Sequence, residues 1–429
     1  MHTKVFTLFI AILFHSKIIV AQNTEVVRSP YIATPMLFQY GNQIGFPVIK
    51  LNTADQLELH FDDLQAGFKN YFYTLQLCNA DWSTAMVSYF DYIKGFSNNR
   101  INTYRISSIA QQKYTHYMAY LPEKNCMPIK SGNYLLKVYT DGDSSRTVFT
   151  KRFVVVEDMA NIGAQIIQPL TSSFTQVQQQ LKVNINLQSI NMVNPQQQLK
   201  IVVLQNNRWD MAQLISQPTF VRGKDFEYSN ANELLFAAGK EWRWADLRSF
   251  RFWSDRVLTG VLAKGSTTIT LRPDIARNAM RYTFYRDLNG QFQIMNTDNA
   301  NPYWQGDYAT VTFNYQPPNG VSIPNYDVYL MGSLTNYVIS DATKMKFNTT
   351  SGMYENKQFL KQGFYNYAYA LVPNSGKPQP DISQTEGNYW ETENTYQVLV
   401  YYKPLGARAD AVIGYLTINT LNGRNAVGF

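Results

Sequence analysis

Apolar and polar residues alternate with a period of two in many short runs of this chain. Between 134 and 140, Tyr134, Leu136 and Val138 share one face, and Leu135, Lys137 and Tyr139 share the other. Between 181 and 187, Leu181, Val183, Ile185 and Leu187 point one way, against Lys182, Asn184 and Asn186. A period of two sets one face of a strand on a core. The same pattern predicts strands over 56–61, 71–78, 114–121 and 148–157, then over 199–204, 247–253, 281–286, 291–295 and 308–315. A last group covers 328–331, 353–359, 365–371, 395–402 and 411–418. Asp141-Gly142-Asp143 and Asp287-Leu288-Asn289-Gly290 read as hairpin turns, and Pro317-Pro318-Asn319-Gly320 reads as a linker. The expected fold is all-β: three consecutive immunoglobulin-like or early-set sandwich domains, over 29–157, 158–320 and 325–429.

Length and composition agree with this division. At 429 residues the chain exceeds the ~250–300 that one core serves. Charged residues are 16% and aromatics 14%, with 30 Tyr, a mixture that suits pleated surfaces better than helices.

Residues 1–21 carry Lys4, an apolar run from Val5 to Phe14, then Lys17 and a second short run, with no acidic group. That is the layout of a secretory signal peptide, cleaved between Ala21 and Gln22, and it predicts export. Without Lys4 and Lys17 the 38 basic residues fall to 36 against 31 acidic ones, a net charge of +5. The basic residues are scattered, so nucleic-acid binding is not expected. In an exported chain Cys78 and Cys126 are a possible disulfide, worth about 4 kcal/mol of loop-closure entropy.

Recognisable catalytic chemistry is missing. Beyond the leader only His60 and His116 remain of four histidines, each in a strand-like run. There is no HExxH, no GxSxG elbow and no P-loop. Gly41-Asn42-Gln43-Ile44-Gly45 has the wrong spacing for a dinucleotide fingerprint. Asp62-Asp63 reads as a solvated turn. Asp287 and Asn289 lack the later ligands of a calcium loop. No catalytic residue, metal ligand or cofactor site is assigned.

Three blocks carry a resemblance. The first is Asp81-Trp82, then Tyr92-Ile93-Lys94-Gly95-Phe96 and the stretch from Ser131 to Tyr139. The second is Ala238-Gly239-Lys240-Glu241-Trp242-Arg243, Asp246-Leu247-Arg248-Ser249 and Asp287-Leu288-Asn289-Gly290. The third is the stretch from Glu386 to Asn394, then Val400-Tyr401-Tyr402-Lys403-Pro404 and Gly406-Ala407-Arg408. Their order resembles the type IX secretion system plug proteins over nearly all of the mature chain. The departure is Ala409-Asp410, where an aromatic is expected before the Asp. The resemblance implies a non-enzymatic periplasmic protein without a cofactor. Its partner would be the giant outer-membrane translocon barrel, whose periplasmic mouth it fills when no cargo is in transit. A partner β-barrel protein would cover the lateral gate in an alternative state. Membrane association would run only through the barrel.

Residues 328–337 and 363–369 also resemble sandwich domains that bind glycogen-type glucans, with Tyr337 where an exposed Trp is expected. An exported glycan-binding protein is therefore the alternative. Candidate interface residues are the loop aromatics Tyr303, Trp304, Tyr337, Tyr389 and Trp390.

Overall fold

The computed structural model describes residues 25–188, 190, 192–263, 265–375 and 379–421, and the backbone of 425–426. The expected leader lies outside the described residues. No helix among the described residues is long and apolar enough to cross a membrane.

The first unit is a sandwich. One sheet runs Ile32–Gln39, Leu57–Asp63, Thr115–Leu121, Thr103–Ile106. The other runs Val48–Lys50, Thr147–Val156, Gly132–Thr140, Tyr71–Cys78, Asn99–Arg100. Their inner faces enclose Leu57, Leu59, Phe61, Tyr73, Leu75, Tyr134, Leu136 and Phe153. Asp141-Gly142-Asp143 turns the chain between Gly132–Thr140 and Thr147–Val156, as its composition requires. A two-stranded ribbon, Ile93–Gly95 against Cys126–Pro128, leaves the end of this sandwich.

The rest of the chain is not consecutive. Leu199–Gln205 pairs with Thr395–Tyr402, from Leu199 opposite Tyr402 to Gln205 opposite Tyr396. Thr395–Tyr402 in turn pairs with Ala411–Asn419. The facing sheet is Phe220–Arg222, Asp225–Tyr228, Gln178–Asn186, Asn161–Ile167 and Asn425–Ala426. One core takes Ile162, Leu181, Val183 and Val203 together with Val398, Val400 and Ile413. A separate core joins Leu247, Val311, Phe313, Leu330, Leu360 and Tyr367. Its two sheets are centred on Gly363–Pro373 and on Tyr308–Gln316 with Met353–Lys361.

The expected boundary at 320–325 therefore cuts through one core and separates strands that share another. The third unit, about 238–389, is inserted into the second. Pro318–Gly320 is a short 3₁₀ turn between Tyr308–Gln316 and Tyr326–Met331 of that insert. The expected strands at 247–253 and 281–286 do not form. Ser249 Oγ accepts from the amides of Arg251 and Phe252, curling the first into a turn. The second is held by its tyrosines: Tyr282 bonds Glu241 Oε1 at 2.5 Å, and Tyr285 donates to the Trp242 carbonyl at 2.9 Å.

Candidate functional site: an interdomain cleft and its seams

The three units meet around a cleft of about 570 Å³. Edge strand Ile32–Gln39 and the Phe46 loop supply one wall, the turn after Leu199–Gln205 a second, and the 291–292 and 333–338 segments a third. The floor is apolar: Phe38, Phe46, Trp209 and Phe292. Its charges are matched locally. Lys151 pairs with Glu25 at 2.8 Å. Arg208 holds Asp210 by two nitrogens, at 3.2 and 2.6 Å, and lies 4.6 Å over the Tyr337 ring. Among the described residues no three His, Cys, Asp or Glu side chains gather as a metal site.

Around the cleft run three polar seams. The first joins units one and three. Asp62 is 1% exposed, and its Oδ1 accepts from His116 Nδ1 at 2.7 Å. Its Oδ2 accepts from the Tyr308 hydroxyl at 2.6 Å and from the Lys361 ammonium. With the Asp62 carboxylate accepting, the His116 proton sits on Nδ1, and Nε2 accepts from His60 Nδ1 at 3.0 Å. His60 Nε2 reaches Glu58 at 2.9 Å, and the Tyr303 ring stacks on His60 at 4.3 Å. Burial opposes the Asp62 charge, but Lys361 and His116 outweigh it and hold the carboxyl below its usual range. Burial pushes the His116 imidazole down to about 4. Gln43 completes the seam by pairing like a strand residue with Ile294, its amide accepting at 2.8 Å and donating at 3.1 Å.

The second seam joins units one and two. Asp410 Oδ2 accepts from the Ala80 amide at 2.9 Å. The Tyr401 hydroxyl donates to Asn133 Oδ1 at 2.8 Å, and Asn133 Nδ2 donates to the Asn79 carbonyl at 3.0 Å. Trp82 stands edge-on to Trp209 at 4.8 Å, with the Arg152 guanidinium 4.4 Å above its ring. Gly132 has φ +153°, a backbone conformation that favours glycine, and a Cβ there would crowd Leu77 Cδ1 at 2.7 Å and the Asp410 carbonyl across the seam at 3.3 Å. Phe46, Val48, Val154, Val202, Leu399 and Val412 form the apolar half.

The third seam joins the two crossings between units two and three. Tyr389 N donates to the Gly239 carbonyl at 2.8 Å, Asn388 Oδ1 accepts from Gly239 N at 2.8 Å, and Asn394 Nδ2 reaches the Ala238 carbonyl at 2.8 Å. Behind them Arg243 bridges Glu386 at 2.9 Å and Asp274 at 2.8 Å, while Arg277 takes the other Glu386 oxygen.

The loop aromatics named from sequence line these seams rather than an open surface. Tyr303 stacks on the histidine pair, and the Trp304 carbonyl accepts from the Ser108 amide at 3.1 Å. Tyr337 donates to the Gly290 carbonyl at 2.9 Å, and Tyr389 to the Met280 carbonyl at 2.7 Å. Trp390 packs on the second core. All five are half-buried. Asp62 and Asp63 are buried network members, not a solvated turn. Asp287 does cap its turn, accepting from Asn289 N at 2.7 Å. Cys78 and Cys126 do not bridge. Cys78 packs with Trp82 and Leu135, whereas Cys126 lies in the first core against the Tyr89 hydroxyl at 3.7 Å. Burial pushes each thiol up to about 11. Sequence reading missed the seam partners Asp62, Asn133, Lys361 and Asp410. Asp62, Asn133 and Lys361 each stand next to a core residue, Phe61, Tyr134 and Leu360, on the strand face turned away from their own core, so local spacing reads them as solvent-facing.

The chain is similar to a hypothetical protein from Parabacteroides merdae ATCC 43184, at 34% identity over 92% of this chain and 99% of that one. The two structures superpose with a TM-score of 0.87. Dimeric latent PorU from Porphyromonas gingivalis aligns with 90% of this chain and 34% of its own, at 11% identity and a TM-score of 0.13, and carries no argument. No curated protein matches. Residues 32–157, the first sandwich, match the family of the type 9 secretion system plug protein 1st domain. The resembling sequence blocks supply residues of the second and third seams and one strand of the ribbon, and the chain belongs to the type 9 secretion system plug protein family.

Proposed function

We propose that this chain is a non-enzymatic plug subunit of the type IX secretion system. It is exported to the periplasm, binds the periplasmic mouth of the outer-membrane translocon barrel and closes the pore between cargoes. The observation that supports this is the mutual bracing of the three units. Each sandwich has its own core, and the seams add one buried ion pair, Asp62 with Lys361, and side chain-to-backbone bonds that hold each unit to its neighbours. A stopper for a wide aqueous pore has to fill the opening and resist deformation. Paired backbone ladders joined by buried, hydrogen-bonded polar seams supply both. The cleft chemistry, with its carboxylates already matched to cations, gives no reason to add a catalytic step.

The glycan-binding alternative has less support. Tyr337, its expected stacking residue, lies under the Arg208 guanidinium and donates its hydroxyl inward. The test is co-purification with the translocon from detergent-solubilised outer membrane. Recovery of the barrel without this chain, and of the chain only in the soluble fraction, overturns the reading.

A further inference from the structure

The ribbon of the first unit has one face in the core and one in solvent. Ile93 and Cys126 point inward. The pairing sets Lys94 opposite Met127, and the Phe96 and Ile129 amides extend it by bonding the Asn125 and Tyr92 carbonyls at 2.7 and 2.9 Å. Alternation then places Lys94, Phe96, Met127 and Ile129 on the outer face. Phe96 is 64% exposed, Ile129 45% and Met127 38%. Phe90 joins them at 68%. Its neighbour Tyr89 stands edge-on to it at 5.6 Å and donates to the Phe96 carbonyl at 3.0 Å, which anchors the Phe90 turn beside the ribbon. Three exposed lysines, Lys94, Lys124 and Lys130, surround these side chains, and none is ion-paired among the described residues. Asp91 and Glu123 are the nearby carboxyls, and Glu123 is half-buried, whereas the three lysines are exposed.

We propose that this tip docks on an anionic phospholipid surface, a contact independent of the plug reading and additional to any held through the barrel. Apolar side chains this exposed are not seated in a groove that a partner protein would fill. Of the Trp, Tyr and Arg anchors typical of protein hot spots the patch holds only Tyr89, and its hydroxyl is spent on the Phe96 carbonyl. Exposed Phe, Met and Ile flanked by flexible ammonium groups match the boundary between acyl chains and headgroups, where lysines near an anionic surface strengthen the contact.

The test is flotation of the purified full chain with phosphatidylcholine vesicles, with and without phosphatidylglycerol. The wild type floats with the anionic vesicles, and added salt weakens it. Phe90→Ser with Phe96→Ser lowers the bound fraction about tenfold or more, because two phenyl groups no longer leave water. Lys94→Glu with Lys130→Glu removes the preference for anionic lipid and keeps the test decisive should the Phe variant not fold. Three results overturn the proposal: no flotation of the wild type, flotation unchanged by both variants, or loss of a co-purifying membrane protein in the Phe variant while the wild type ignores vesicles. The last assigns the patch to a protein contact.

Discussion

Replacing Lys361 by Met tests whether the buried charges truly hold units one and three together. The side chain is 1% exposed and its ammonium meets the Asp62 carboxylate, which is equally buried. Met keeps most of the volume, so packing loss is small. What remains is a carboxylate out of water with only the Tyr308 hydroxyl and His116 as donors. Removing one member of such a pair costs about 3–5 kcal/mol. Adding Asp62→Asn removes the orphaned charge, so the double variant is expected to lose about 2 kcal/mol less than the sum of the singles. A single unfolding free energy is poorly defined for a chain of several units, so the readout is local. Hydrogen exchange in strands Leu57–Asp63 and Met353–Lys361 reports opening of this seam. Additivity of the two substitutions within about 0.5 kcal/mol refutes the claim that the pair couples the units.

Four further outcomes are expected. His116, buried with its pKa lowered to about 4, binds a proton in the unfolded chain before it does so in the folded one. Its contribution is intact above about 6.5 and is lost as pH falls towards 4, by about 3 kcal/mol. Asp62, also lowered, adds a loss in the same direction at more acid pH, and His116→Gln flattens the upper part of a pH-dependent exchange profile. Under denaturing, non-reducing conditions two thiols per chain react with Ellman's reagent, and few or none react in the folded chain; zero under denaturant places a bridge between Cys78 and Cys126. Glu386→Gln weakens the hold of Arg243 and Arg277 and lowers the melting temperature, with faster proteolysis near 386–394. Gly95→Ala forces a Cβ to 2.0 Å from the Asn125 carbonyl oxygen at a φ of +121°, so amide protection is lost across the ribbon while the sandwich stays protected.

Strand positions were legible because burial on one face imposes a period of two, and 71–78 and 395–402 emerge with the expected ends. The failures have physical causes. Leu247 and Phe250 do face a core, but a Ser249 hydroxyl takes over the backbone amides, and spacing alone does not distinguish the two outcomes. Tyr282 and Phe284 alternate like strand residues, yet the Tyr282 and Tyr285 hydroxyls serve Glu241 and the 241–242 backbone. The insertion was invisible because periodicity is local, whereas the partner of Leu199 is Tyr402. The seams were hidden for the same reason. Asp62 meets His116, Tyr308 and Lys361 from three distant strands, so nothing beside it in sequence marks it as buried.

The inserted order of the units constrains how the chain acquires its shape. Residues 199–205 leave any exit tunnel or export pore well before their sheet partners at 395–402, and 161–186 well before the strands at 395–419 that complete the sheet facing them. The first sandwich has all its strands by 156 and is free to close at once. The insert closes next, within its own span. The middle unit stays half-built, with its apolar edge open, until the last thirty or so residues arrive. That interval is when a chaperone has the most surface to hold, and a chain truncated before 395 never leaves it.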